Sequence, residues 1–261
     1  MSSTAQVGEA LLARREAVAR AMVEEIVAEV PAYRDAPASL LGDVLVLCRV
    51  YVGLLATAVS GTAPLQREDV PIVRDHAARR LHQGIPLEAF LHAYRVGLFR
   101  CWDACAEEAA RLELPREASF ALARSALAAI DTLTTHATEA YLREENRVRE
   151  LRGLEARDLV ERLLRGEAVD PRRRHPAAPG LDPRGELVVI VARAQDGAAD
   201  ALAASLPGRP LIAGREGEVV AVAAEKSARD AAERAGLRCG VSGPARGFPG
   251  VAQAYREATL A

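Results

Sequence analysis

Apolar positions keep a helical spacing through the first two thirds of the chain, then give way to short apolar runs broken by glycine and proline. Val18, Met22, Ile26 and Val30 recur every four residues, which predicts one buried helix face, with Pro31 and Pro37 bracketing its exit. A nearly wholly apolar helix is expected around 39–59, and a third over about 67–82 that stops at Gly84. The fourth starts at Pro86, which suits a first helical turn, and runs to about Leu112. Its stripe of Leu87, Phe90, Leu91, Tyr94, Leu98, Cys101, Trp102 and Cys105 follows the helical period. Pro115 breaks the chain, and a fifth helix is expected over about 116–142.

Residues 141–165 continue that helical pattern but are highly charged, with a sparse seam of Val148, Leu151, Leu154, Leu159 and Leu163. Two heptads do not support an extended coiled coil, so a charged connecting helix is expected. Beyond it the period changes. Glu186–Ala192 reads as a buried strand and 197–206 as an Ala-rich helix. Leu211–Ala213 and Val219–Ala223 read as strands joined by the hairpin Gly214-Arg-Glu-Gly-Glu218. Ser227-Ala-Arg-Asp230 resembles a capping box opening a helix that stops at Gly236, and Arg238–Val241 is the next strand. The order β-α-β-β-α-β with a trailing helix is a split βαβ, or ferredoxin-like, arrangement. The expected organisation is multi-domain: an all-α bundle over 1–142, a connecting helix over 143–166, a linker over 167–184 and an α+β domain over 185–261. The last helix ends at Ala261 without a Gly, Asn or basic cap, which predicts that more chain follows.

Composition sharpens this division. Residues 1–165 carry 7 Gly and 6 Pro, whereas the shorter 166–261 carries 12 and 8, as short elements and turns require. With only 4 Phe, 5 Tyr and 1 Trp, the core must be built from Leu, Val and Ala. A net charge of −2 gives no global basic field for nucleic acid. Cys48, Cys101, Cys105 and Cys239 form no disulfide framework and read as buried thiols in a reducing, cytoplasmic compartment. Nothing at the N-terminus reads as a signal peptide. Leu40–Val59 is apolar over 20 residues, but Arg49 lies at its middle, where a charge costs about 2.5–3.5 kcal/mol in a membrane. It reads as a buried core helix or a dimer-interface helix.

The run Arg80-Leu-His-Gln-Gly-Ile-Pro-Leu-Glu-Ala-Phe-Leu-His-Ala-Tyr-Arg-Val-Gly97 resembles the N-terminal helical sensor region (RsbRD) shared by RsbR-type stress co-antagonists and many PucR/CdaR-type transcriptional regulators. Arg14-Arg-Glu16 and Val30-Pro-Ala-Tyr33 are similar to the first helix of that region. Gly240-Val-Ser-Gly-Pro-Ala-Arg-Gly247 and Ala254-Tyr-Arg-Glu-Ala258 resemble the degenerate GGDEF-like domain in the middle of those regulators. The resemblance implies a sensing and relay portion, a homodimer, and DNA binding only through a C-terminal helix-turn-helix that these residues lack. A stressosome-like protein interaction module is the alternative from a different class, and a nucleotide-binding, non-catalytic GGDEF-like protein is another.

Candidate chemistry is sparse. Diguanylate cyclases carry their metal-binding signature on the hairpin between the second and third strands. Here that hairpin lacks the Gly-Gly-Asp-Glu-Phe order, and the first strand ends in Ala192-Arg-Ala without an Asp. No enzyme activity is expected, and Glu216 and Glu218 read as solvated turn residues. On the fourth helix His92, Arg95 and Phe99 flank the apolar stripe and Trp102 lies on it, a combination that suits a small organic anion as effector. The same placement also suits an internal ion pair for Arg95 and a surface position for His92. His76, His82, His92 and His136 are haem ligands by residue type alone, and no cofactor or metal is expected. The basic run Pro171-Arg-Arg-Arg-His-Pro176 reads as solvated linker.

Overall fold

The computed structural model describes residues 3–61, 65, 71–170, 172, 174–224, 228, 230–231 and 236–261, which fall into two compact units meeting after Asn146. The expected cap at Ser227 and most of the helix from there to Gly236 lie outside the described residues. So do 67–70 of the third expected helix and Pro171 and Arg173 of the basic run.

The first unit is built from α1 (Ser3–Ala13), α2 (Arg15–Glu29), the single turn α3 (Pro31–Arg34), α4 (Ala38–Val59), α5 (Pro71–His82), α6 (Leu87–Arg111) and the first part of α7 (Arg116–Leu164). Helix α2 buries Val18, Ala19, Met22 and Ile26, the face its spacing predicts, and packs against α4 and α6. Helix α1 has no counterpart in the sequence reading, yet it buries Val7 and Leu11, one turn apart, against α4 and α6. The apolar helix α4 has the length and hydropathy of a membrane span, but ten of its residues, Leu40 to Val59, are buried in this unit's core. Its Arg49 lies at the surface and donates to both Glu16 carboxylate oxygens at 2.6 and 3.0 Å. That pairing holds Glu16 well below the ordinary carboxylate range, at about 2.

The second unit contains the last turns of α7 and an antiparallel sheet. Its elements are β1 (Glu186–Arg193), α8 (Ala198–Ser205), β2 (Leu211–Arg215), β3 (Glu218–Ala224), β4 (Cys239–Val241), β5 (Ala245–Arg246), a 3-10 turn (Phe248–Gly250) and α9 (Val251–Leu260). The order is β2-β3-β1-β4, with β5 also pairing with β1. This is the split βαβ sheet that the element order predicts. Strand β1 has both faces covered, which explains its unbroken apolar run. Leu187 and Val189 point toward the α7 and α9 side, where Leu159, Leu163, Val251 and Ala254 join them. Val188, Ile190 and Ala192 point toward Ala198 and Leu202 of α8. The β2–β3 hairpin closes tightly, with Arg215 opposite Glu218. Helix α9 sits so close to β4 that a Cβ at Gly240 would fall 1.7 Å from the Ala258 carbonyl oxygen, so only glycine fits there.

Candidate functional site

Helix α5 turns Val73, His76, Ala77 and Arg80 to the core, an i, i+3, i+4, i+7 spacing that defines one face. Two of those four positions are titratable. The helix stops in a Schellman motif: Gly84, at φ +77°, donates its N–H to Leu81 O at 3.0 Å, and Ile85 N–H reaches Arg80 O at 3.0 Å. Tyr141 of α7 donates its hydroxyl to Ile85 O at 2.7 Å and so ties this turn to the long helix.

The Arg80 side chain is completely enclosed, at 0 % exposure. Its Nε–H donates to His76 Nε2 at 3.0 Å, and its Nη1 donates to the Gln83 side-chain oxygen. No carboxylate pairs with it among the described residues; the nearby Asp43 lies 3.7 Å from Arg79 instead. Arg80 Nη2 and His76 Nδ1 have no hydrogen-bond partner among the described residues. A buried polar group left this way costs about 1–3 kcal/mol. Burial pulls the Arg80 guanidinium below its ordinary value, against the opposing influence of Tyr33 and Asp43. Burial, together with the charges of Arg80 and Arg79, pushes His76 down to about 2, so its imidazole is neutral.

His76 lines a small apolar cavity of about 30 Å³ together with Tyr33, Cys48, Tyr51, Phe90 and Tyr94. Desolvation raises the Tyr33 hydroxyl and the Cys48 thiol to about 12 each, so both stay protonated. The Tyr51 and Tyr94 hydroxyls bond to each other. The rings form a continuous set: His76 and Phe90 have centroids 5.9 Å apart, Phe90 and Tyr94 4.9 Å, and Phe90 stacks on Tyr141 at 5.4 Å. Aromatics scarce in the sequence are therefore concentrated beside His76.

The four residues singled out from the sequence lie elsewhere. His92 and Trp102 are half-buried, Arg95 is exposed, and Phe99 is 56 % exposed. They share one edge of α6, and none lines the cavity beside His76. Trp102 lines a separate open groove of about 510 Å³ with Leu114, Arg116 and Phe120. Of the histidines considered for haem, His76 commits its Nε2 to Arg80, and His82 lies 2.9 Å from Glu144. Sequence reasoning named His76 only as a haem ligand by residue type and gave Arg80 no role. The available signal was that both fall on the same helical face as Val73 and Ala77. Cys101 and Cys105, read as buried thiols, are buried, and desolvation raises both.

The hairpin of the second unit requires one correction. Glu216 is exposed at the turn, but Glu218 is not a solvated turn residue. Arg215 binds both Glu161 oxygens of α7 at 2.7 and 3.3 Å, Glu218 at 3.1 Å and the Tyr255 hydroxyl at 3.0 Å. Tyr255 in turn donates to Glu218 at 2.6 Å. The strand register makes the network, because it sets Arg215 and Glu218 opposite each other beside α7 and α9.

Comparison with known families finds two matches. The model of the RsbT co-antagonist protein RsbRD N-terminal domain matches residues 16–156, and the model of the GGDEF-like domain matches residues 165–261. No curated protein and no solved structure matches the chain.

Proposed function

We propose that this chain, which belongs to the RsbRD N-terminal domain family and carries a GGDEF-like domain behind it, is the sensing and relay portion of a PucR/CdaR-type transcriptional regulator. Its two domains are those of a sensory or regulatory module. The helical domain receives a small organic effector, and α7 relays the event toward a DNA-binding domain beyond the present residues. The observation that carries this reading is the make-up of α7: it places Leu133, Ala137 and Tyr141 in the helical core and Leu159, Val160 and Leu163 in the GGDEF-like core. Rotation or translation of such a helix is felt by both cores, as a relay requires.

The GGDEF-like domain acts in this scheme as a non-catalytic platform. Its hairpin reads Arg215-Glu216-Gly217-Glu218, and Arg215 and Glu218 are engaged with each other, Glu161 and Tyr255. Carboxylates tied in this way are not free to hold the metal ions of phosphoryl chemistry. The protein works in the cytoplasm as a homodimer. A second reading, a protein interaction module of the RsbR type, draws support from Phe120 and Leu127 of α7, which are each 63 % exposed and lie seven residues apart.

The decisive experiment uses the native reading frame. If it continues into a helix-turn-helix and the full product binds its own promoter in an effector-dependent manner, the regulator reading holds. A frame that encodes no DNA-binding segment, in a protein that co-purifies with stress-signalling partners, favours the interaction module. Incubation with GTP and magnesium should yield no cyclic dinucleotide; turnover would overturn the relay role of the hairpin.

A further inference from the structure

The outer face of α6 carries Arg95, Phe99 and Asp103, and the outer face of α7 carries Phe120, Arg124, Leu127 and Asp131. All are exposed: Phe99 by 56 %, and Phe120 and Leu127 by 63 % each. Charges around them are paired within the chain, Arg100 with Glu107, Glu108 with Arg14 and Arg111, and Glu139 with Arg143. Arg95, Asp103, Arg124 and Asp131 pair with no charge among the described residues. Between the two outer faces runs the open groove of about 510 Å³ to which α6 gives Trp102 and α7 gives Phe120. Large apolar side chains left exposed together, with charges around them, mark an interaction surface.

The order of these residues identifies the partner. Helices α6 and α7 run antiparallel, for Trp102 shares the groove with Ala123 and Phe90 stacks on Tyr141. Residues 95 to 103 rise about 12 Å along α6, and 124 to 131 about 10.5 Å along α7. With Phe99 and Leu127 at one height, Arg95 stands level with Asp131, and Asp103 level with Arg124. A two-fold axis parallel to the helices keeps every height and sets α6 of one copy on α7 of the other. The geometry points to this face as the binding surface for a second copy of the chain, with Arg95 on Asp131, Phe99 on Leu127 and Asp103 on Arg124 of the opposite copy, each contact made twice. Every charge left over within one chain then meets its opposite, which selects this partner and this register. The inference gives a face to the homodimer of the proposed function and rests on that reading. An axis across the helices also matches the charges, α6 on α6 and α7 on α7, but it runs the two copies of α7 in opposite directions. The parallel axis sends both the same way, as a shared relay requires.

The test is sedimentation velocity of the full chain over a concentration series, with circular dichroism to show that each variant is folded. The unaltered chain should sediment as a dimer, and Leu127→Glu as a monomer. Arg124→Asp sets two carboxylates against Asp103 of the opposite copy and should weaken the dimer about ten-fold. Asp103→Arg alone should do the same, and the two substitutions together should restore the dimer. These exposed charges carry the test if Leu127→Glu does not fold. A double variant weaker than either single would show the crosswise axis and overturn the pairing of α6 with α7. A dimer indifferent to Leu127→Glu and to both charge reversals would overturn the face and leave the homodimer standing. A monomer at every concentration would overturn both. A monomer that holds a foreign protein, released by Leu127→Glu, would give the face to that protein and overturn the second copy. A dimer made this way in a protein that regulates no promoter would sink the regulator reading and leave the face.

Discussion

Each of the two units holds an arginine among its side chains, Arg80 buried and Arg215 half-buried, and they treat it in opposite ways. Arg215 in the GGDEF-like unit meets two carboxylates and a tyrosine hydroxyl, and its donors are matched by acceptors drawn from α7, β3 and α9. Arg80 in the helical unit is more deeply buried, yet among the described residues it meets a neutral imidazole and an amide oxygen, and its Nη2 has no partner. The first arrangement is a clamp: its charges cancel locally and hold the end of a helix against a sheet. The second is an open valence. Arg215 is neutralised by carboxylates within the protein, whereas Arg80 is buried among neutral partners in the described residues, so burial weighs on the two charges differently.

Three measurements test this contrast, beginning with the largest effect. Phe90→Ala removes the ring that joins His76 to Tyr141 and should cost about 3–5 kcal/mol in chemical denaturation. The loss should fall on the helical unit, and near-native stability would show that the ring set carries no packing load. Next is pH. The unfolded chain takes up a proton on His76 near pH 6.5, while the folded chain resists protonation down to about 2. Stability is therefore fully present above about pH 6.5 and is lost as pH falls, by about 2 kcal/mol at pH 5. Urea midpoints between pH 7 and pH 5 should show this slope, and His76→Phe should flatten it. Smallest is Arg215→Met. Its partners are about a quarter exposed, so the loss should be about 1–2 kcal/mol. The same substitution at Arg80 should be neutral or stabilising. If both substitutions destabilise alike, the distinction between clamp and open valence fails.

Legibility from the sequence varied with the kind of signal. Gly84 ends α5 and Pro86 precedes α6 because glycine and proline act on the local backbone, whatever surrounds them. The hairpin at residues 214–218 and the split βαβ order followed from alternation and run length. Helix α1 was passed over because Val7 and Leu11 are only two anchors in a short segment, and packing on α4 and α6 completes them. Strand β5 has only two residues, Ala245 and Arg246, too few for any period. The candidate site was sought on α6, where His92, Arg95, Phe99 and Trp102 make a conspicuous mixture of ring and charge. The buried titratable pair lies on α5, where His76 and Arg80 look like ordinary members of a polar, basic helix. Residue type points to chemistry only once burial is known, and burial is a property of neighbours far away in sequence.

By itself, then, the sequence determined the two kinds of region, the helix faces, the helix stops and the strand order, because spacing and backbone chemistry act over a few residues. Tertiary structure alone decided that Arg80 lies fully enclosed beside His76, that Asp43 lies near Arg79 so that no carboxylate among the described residues pairs with Arg80, and that Phe90 bridges to Tyr141. The physical reason is that desolvation and pairing are set by what α2, α4, α6 and α7 bring around a side chain, and those helices meet only in the folded core.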